Sequence, residues 1–133
     1  VGFHHEIAIR YGEVDLQRVV FNAHYLAYLD DAMDHWMREL DRNFEDLGWD
    51  FMLKRAELEW QGSAGLNDVL SIDAAVARWG TTSFDVRFRL GVDGRPVASA
   101  LVTYVGIAAG TATPMTPPDG VRRHLGEPGG DAG

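Results

Sequence analysis

The stretch from Val14 to Ala32, VDLQRVVFNAHYLAYLDDA, carries one carboxylate, Asp15, ahead of the apolar run Val19-Val20-Phe21 and seven residues ahead of Asn22, where a helical pattern opens. An aspartate in such a link has two uses. It stops a strand and accepts a turn hydrogen bond, or it presents its carboxylate as a working group from an exposed connection. The neighbours favour the second use. An apolar run walls off a dry slot, and the start of a helix offers unpaired backbone N–H groups carrying about half a positive charge. A carboxylate facing such donors across a dry slot has the parts for acyl transfer to water. It can attack the carbonyl carbon or take a proton from water, while the N–H groups hold the developing oxyanion. No tuned histidine is required.

Other side chains compete for a role. His4 and His5 are adjacent on an extended segment, so they point to opposite faces and cannot chelate together. His24, two residues beyond Asn22, sits in the first turn of the helix, where it either bonds a substrate or Asp15 or is simply a surface imidazole. Asp31 and His35 are four apart on the helix with Asp30 and Asp34 beside them, a spacing that suits a metal, but the set lacks a third firm ligand and reads as a solvated acidic face; no metal is expected. Trp49, Phe51, Trp60 and Trp79 are core or pocket aromatics; lining an acyl cavity, their bulk would favour an aromatic or medium-length acyl group.

These residues need a scaffold. Phe3 to Tyr11 alternates as a strand with one buried face, and Tyr25, Leu29, Ala32, Trp36 and Leu40 recur at helical spacing, with Asn22 of a good N-cap type. The period then changes to two. Ala56-Leu58-Trp60, Leu70 to Val76, and Phe84 to Val92 each alternate, and Asp93-Gly94 signals a two-residue hairpin whose return strand runs about Arg95 to Ala108. Both faces of that return strand are fairly apolar, which suggests a core on one side and a subunit contact on the other. After Gly110 the composition turns to Thr, Pro and Gly, with a short helix around Val121 to Leu125 and a loose tail, GEPGGDAG. One strand, one long helix and four antiparallel strands make an α+β fold in which a curved sheet wraps the helix.

A chain of 133 residues, 46% apolar, is enough for one domain with one core. Its net charge of −8 repels phosphate backbones and anionic lipid, which argues against nucleic-acid and membrane partners. There is no cysteine, no membrane-length apolar run and no signal-peptide layout in VGFHHEIAIR, so a cytoplasmic setting is the default.

The segment RYGEVDLQRVVFNAHYLAYLDDA resembles the opening signature of hotdog-fold acyl-CoA thioesterases of the 4-hydroxybenzoyl-CoA thioesterase-like kind, and NDVLSIDAAV and TTSFDVRFRL are similar to that family's third and fourth strands. The resemblance implies a hotdog domain over residues 1–110, followed by a Pro/Gly-rich segment at 111–133. It implies that Asp15 is the catalytic carboxylate, as nucleophile or general base, and that backbone N–H around Asn22 polarises the thioester carbonyl. Val20, Phe21 and Tyr25 would shape the slot, with His24 beside it. Coenzyme A enters as part of the substrate rather than as a cofactor, and the protein is expected to be a homodimer or homotetramer with sites at the subunit interface. Two departures stand out. Arg18 occupies a place where relatives often have Gly, and either meets a nucleotide phosphate or is solvated. Trp79-Gly80-Thr81-Thr82-Ser83 stands where the 4-hydroxybenzoyl enzyme has a basic cluster; the hydroxyls of Thr81, Thr82 and Ser83 can bind phosphate or pantetheine but supply no charge. An acyl carrier protein is the alternative carrier, provided that Arg87, Arg89, Arg122 and Arg123 form a local basic patch. The alternative activities are a hotdog enoyl-CoA hydratase or dehydratase using Asp and His together, and a non-catalytic acyl-CoA-binding subunit.

Overall fold

The computed structural model of the chain describes residues 2–40 and 44–128. The end of the tail, at 129–133, lies outside them. Five strands form one antiparallel sheet: β1 (Phe3–Ala8), β2 (Trp49–Trp60), β3 (Val69–Trp79), β4 (Ser83–Val92) and β5 (Arg95–Ala108), in the order β1-β3-β4-β5-β2. Between β1 and β2 come a single 3-10 turn (Tyr11–Glu13), the central helix α1 (His24–Arg38) and the short α2 (Phe44–Leu47); α3 (Asp119–Leu125) follows β5. No helix among the described residues is long and apolar enough to cross a membrane.

The alternation read from the sequence puts Phe84, Val86, Phe88 and Leu90 of β4 on the inner face, opposite Tyr104, Val102, Ala100 and Ala98 of β5. All eight are buried. Against them α1 buries Tyr25, Tyr28, Leu29, Ala32, Met33, Trp36 and Met37, a stripe set by the 3.6-residue repeat. The helix is 15 residues long and ends at Arg38, before Leu40. The outer face carries charges in cross-strand register, Asp73 opposite Arg89 and Arg78 opposite Asp85. At the β4–β5 hairpin both Asp93 (φ 51°) and Gly94 (φ 81°) take left-handed backbone, as a two-residue turn matched to the strand twist requires.

Two boundaries differ from expectation. β1 stops at Ala8 because the chain curls into the 3-10 turn, where Glu13 N–H donates to Arg10 C=O at 3.0 Å. β2 begins at Trp49, seven residues before the alternation Ala56-Leu58-Trp60 shows it. A bulge between Leu53 and Arg55 shifts the register and scrambles the period in its first half. The segment after β5 folds back on the sheet: Met115 N–H donates to Gly106 C=O at 2.8 Å, and Val121 and Leu125 are fully buried in the common core.

Candidate active site

Asp15 is mounted on a tight hairpin. Val14 bridges Val20 in antiparallel fashion, Asp15 N–H donates to Val19 C=O at 2.9 Å, and Arg18 N–H donates to Asp15 C=O at 2.9 Å. Arg18 closes the loop with φ 65°, the left-handed conformation for which glycine is the usual residue, so an arginine is held where the resemblance implied glycine. Asp15 also serves its own turn: Oδ1 accepts the Gln17 N–H at 2.8 Å. Both readings of this aspartate therefore start from the same geometry. Oδ2 accepts no hydrogen bond among the described residues, and the side chain is half-buried.

The hairpin is fastened from three sides. Val20 N–H donates to Ala64 C=O at 2.8 Å, Val19 bridges Gly65, and Phe21 N–H donates to Glu13 C=O at 3.1 Å. Glu13 is the deepest anchor, 8% exposed. Its Oε1 accepts the Arg10 N–H at 2.9 Å and the Tyr28 hydroxyl at 3.0 Å, and its Oε2 accepts Arg10 Nε and Nη2 at 3.0 and 2.6 Å. Burial alone would push the Glu13 carboxyl up, but these donors outweigh it and hold the group below the ordinary carboxylate value. The same burial and the adjacent carboxylate drive the Tyr28 phenol far up, so it stays a donor. The sequence reading passed over Glu13 and Tyr28. The Arg10-to-Glu13 spacing of a capping box was the signal available for Glu13.

The helix start departs from expectation. Asn22 is not its N-cap: the cap position is Ala23, in helical backbone, with no side-chain cap bond. The chain enters by a turn in which His24 N–H donates to Phe21 C=O at 2.9 Å and Tyr25 N–H to Asn22 C=O at 3.3 Å. Those two donors are consumed. The Asn22 and Ala23 N–H groups have no acceptor among the described residues and remain available to a carbonyl oxygen. Asn22 lies three residues, at most about 10 Å of chain, beyond Val19, which is the backbone hydrogen-bond partner of Asp15.

Of the slot residues, Val20 points into the core at 3% exposed, while Phe21 stands 52% exposed. Tyr25 is buried, its ring edge-on to Trp60 at 5.7 Å and to Tyr28 at 5.8 Å, so it supports the slot from beneath. His24 turns its ring edge to Phe21 at 6.3 Å and makes no hydrogen bond to Asp15. Among the described residues, seven of the nine large apolar side chains that stand exposed, Tyr11, Leu16, Phe21, Leu26, Trp60, Leu66 and Val69, gather at this end of the sheet.

The expected carrier-binding residues are elsewhere. β3 starts beside Ala8 near the Asp15 hairpin and ends at Trp79, about 30 Å away along an extended strand. Trp79, Thr81, Thr82 and Ser83 are thus at the opposite end of the sheet, and one chain does not bring them to Asp15. The side chains of Trp79 and Ser83 and the backbone of Thr82 are also engaged. The Trp79 indole donates to Gly126 C=O at 2.9 Å and lies under the Arg122 guanidinium at 5.3 Å, Gly106 N–H donates to Thr82 C=O at 2.6 Å, and Arg78 Nη2 donates to the Ser83 hydroxyl at 3.2 Å. Trp49 and Phe51 pack with Phe84 and Tyr104 near that same end and line no slot at Asp15. Nor do the four arginines form one patch: Arg87 and Arg89 share an outer-face groove of about 400 Å³ with Glu57 and Glu59, and Arg122 is paired with Glu127 at 2.8 Å.

Residues 9–125 match the thioesterase-like superfamily. No curated protein matches the chain. Among solved structures, a 1,4-dihydroxy-2-naphthoyl-CoA thioesterase from Synechocystis is 16% identical over 94% of this chain and 96% of its own, with a TM-score of 0.82. The protein SAV2348 from Staphylococcus aureus, in complex with CoA, is 14% identical over 94% of this chain and 82% of its own, with a TM-score of 0.84. The gentisyl-coenzyme A thioesterase BH1999 is 20% identical over 93% of this chain and 100% of its own, with a TM-score of 0.82. The likeness extends along nearly the whole chain, and the α+β architecture is the hotdog fold expected from the sequence. A match that takes in the Asp15 hairpin, the central helix, β2 to β5 and α3 establishes that the chain belongs to the thioesterase-like superfamily.

Proposed function

We propose that the protein hydrolyses acyl-CoA thioesters, with Asp15 as the catalytic carboxylate and the Asn22 and Ala23 N–H groups as the oxyanion donors. The observation that carries this reading is a carboxylate oxygen left free on a tight turn whose return arm, three residues beyond the backbone partner of Asp15, reaches two unspent N–H donors, amid exposed apolar side chains. Either Asp15 attacks the carbonyl carbon, giving a mixed anhydride that water then cleaves, or it takes a proton from the attacking water. In both routes the C–S bond breaks, the thiolate leaves and gains a proton, and one water is consumed. No cofactor is needed beyond the CoA carried by the substrate. The CoA complex of the S. aureus neighbour supports CoA as the carrier, and the loss of a joint arginine patch weakens the acyl carrier protein alternative. The apolar side chains around Asp15 support a homodimer or a homotetramer in which a second chain completes the slot.

A hydratase would need Asp and His acting together, and the His24 ring lies edge-on with Phe21 and makes no hydrogen bond to Asp15, so hydrolysis is the better reading. The test is release of free thiol from a panel of acyl-CoA esters of differing length and aromaticity. Asp15→Asn and Asp15→Ala should each lose about 10²- to 10⁴-fold in turnover. Undiminished turnover in both removes Asp15 from the mechanism, and tight ester binding without thiol release makes the protein a binding subunit.

A further inference from the structure

His5, Asp31 and His35 supply a ligand set that no expectation from the sequence contained. The helix pair Asp31 and His35 lacked a third partner as long as β1 was read alone. The fold provides it, because the inward-facing side of β1 lays His5 against the middle of α1. His5 Nε2 lies 2.8 Å from Asp31 Oδ2, and His35 follows Asp31 one turn later on α1. One ligand atom from each of the three falls within 4.8 Å of the others. Four ligands held at about 2.0–2.1 Å around a tetrahedral zinc ion stand about 3.3 Å apart, so the observed distances bracket what such an ion requires.

Three further features suit metal binding. The two imidazole rings stack with centroids 4.4 Å apart, which brings both donors beside the same carboxylate. His35 Nδ1 lies 2.8 Å from the Asp31 carbonyl oxygen, the type of bond that fixes the tautomer of a ligating histidine and leaves Nε2 with its lone pair. Asp31 and His35 are each close to half exposed, so an ion has a way in, while His5 is largely covered and held in place by Phe3, whose ring stacks on it at 6.0 Å and on Trp36 at 5.8 Å.

We propose that His5, Asp31 and His35 bind a divalent transition-metal ion of the zinc class, with a fourth position left to water. The donor set of two imidazoles and one carboxylate selects zinc and its neighbours over magnesium or calcium, which take all-oxygen sites. The site is separate from the Asp15 hairpin and independent of the proposed hydrolysis. His35 stands eleven residues beyond the start of α1, about 16 Å along the axis. Its effect is mechanical: a bound ion ties edge strand β1 to the central helix.

Zinc chloride titrated into chelator-treated protein, followed by calorimetry and thermal melting, tests the site. Saturable binding of one zinc per chain is expected, with a rise in Tm of several degrees at saturation and no response to magnesium. Asp31→Asn and His35→Ala, both at half-exposed positions and checked for folding by circular dichroism, should each weaken binding at least about tenfold. His4→Ala, on the opposite face of β1, should leave binding intact. Absence of saturable binding, binding unchanged in both Asp31→Asn and His35→Ala, or binding abolished by His4→Ala overturns the proposal.

Discussion

The Tyr28 hydroxyl donates to Glu13 Oε1 at 3.0 Å, tying the 3-10 turn that leads into the Asp15 hairpin to the middle of the central helix. The Glu13 backbone carbonyl meanwhile accepts the Phe21 N–H at 3.1 Å, so one residue braces both ends of the segment from acid to helix. Glu13→Gln keeps the shape but loses the charge, leaving the Arg10 and Tyr28 donors with a weaker acceptor. The cost is expected to be about 1–2 kcal/mol, read as a lower urea midpoint at neutral pH.

The same carboxylate makes a pH prediction. Its folded pKa lies below its ordinary value, so its contribution is complete above the ordinary carboxylate pKa and disappears as pH falls through the lower folded value. Melting curves from pH 7 down to pH 3 should show a shallower acid decline in Glu13→Gln than in the parent. Equal slopes would mean that Glu13 is not anchored as described.

Asp15 does two jobs that two substitutions separate. Asparagine retains an oxygen to accept the Gln17 N–H, whereas alanine does not. Asp15→Ala is expected to lower stability by about 1 kcal/mol and Asp15→Asn by much less, while both abolish thiol release. Loss of activity that tracks loss of stability would mark the residue as a turn former only.

Arg18 holds a left-handed backbone at φ 65°. That conformation costs a residue with a Cβ about 1–2 kcal/mol, and glycine's added freedom in the unfolded chain takes back about 0.4–1 kcal/mol. Arg18→Gly should therefore stabilise by roughly 0.5–1 kcal/mol, and Arg18→Val should destabilise, both by urea unfolding. If Arg18 grips a substrate phosphate, the glycine variant also raises KM.

The Tyr104 hydroxyl is buried without a hydrogen-bond partner among the described residues, and its ring packs against those of Phe51 at 5.3 Å and Phe84 at 5.4 Å. Burial pushes this phenol far up, so it stays neutral. Tyr104→Phe removes an unsatisfied group and nothing else. A Tm equal to or above that of the parent is expected, where a typical core change lowers it.

The sequence by itself determined the sheet's inner face and the helix stripe. Phe84 to Val92 alternates with period two and Tyr25 to Trp36 repeats every three or four residues, and both patterns follow from local backbone geometry that each segment carries wherever it packs. The link that carries Asp15 was legible for a related reason: a short apolar run after an acid, then a helical pattern, is local information; that the link folds as a hairpin was not. β2's first half was not, because its bulge at Leu53/Arg55 is set by pairing with β5.

Only the tertiary structure decided which distant residues meet. Trp79 to Ser83 looked like part of the site, yet the length of β3 carries them to the far end of the sheet. Asn22 looked like a helix cap, but the bridge of Val14 to Val20 delivers the chain into the helix through a turn that leaves the cap bond unmade. Glu13 finds Tyr28, and His5 finds Asp31 and His35, because the sheet lays β1 and its following turn against α1. Such contacts depend on how two rigid elements pack, and no periodicity within either element encodes the partner it will face.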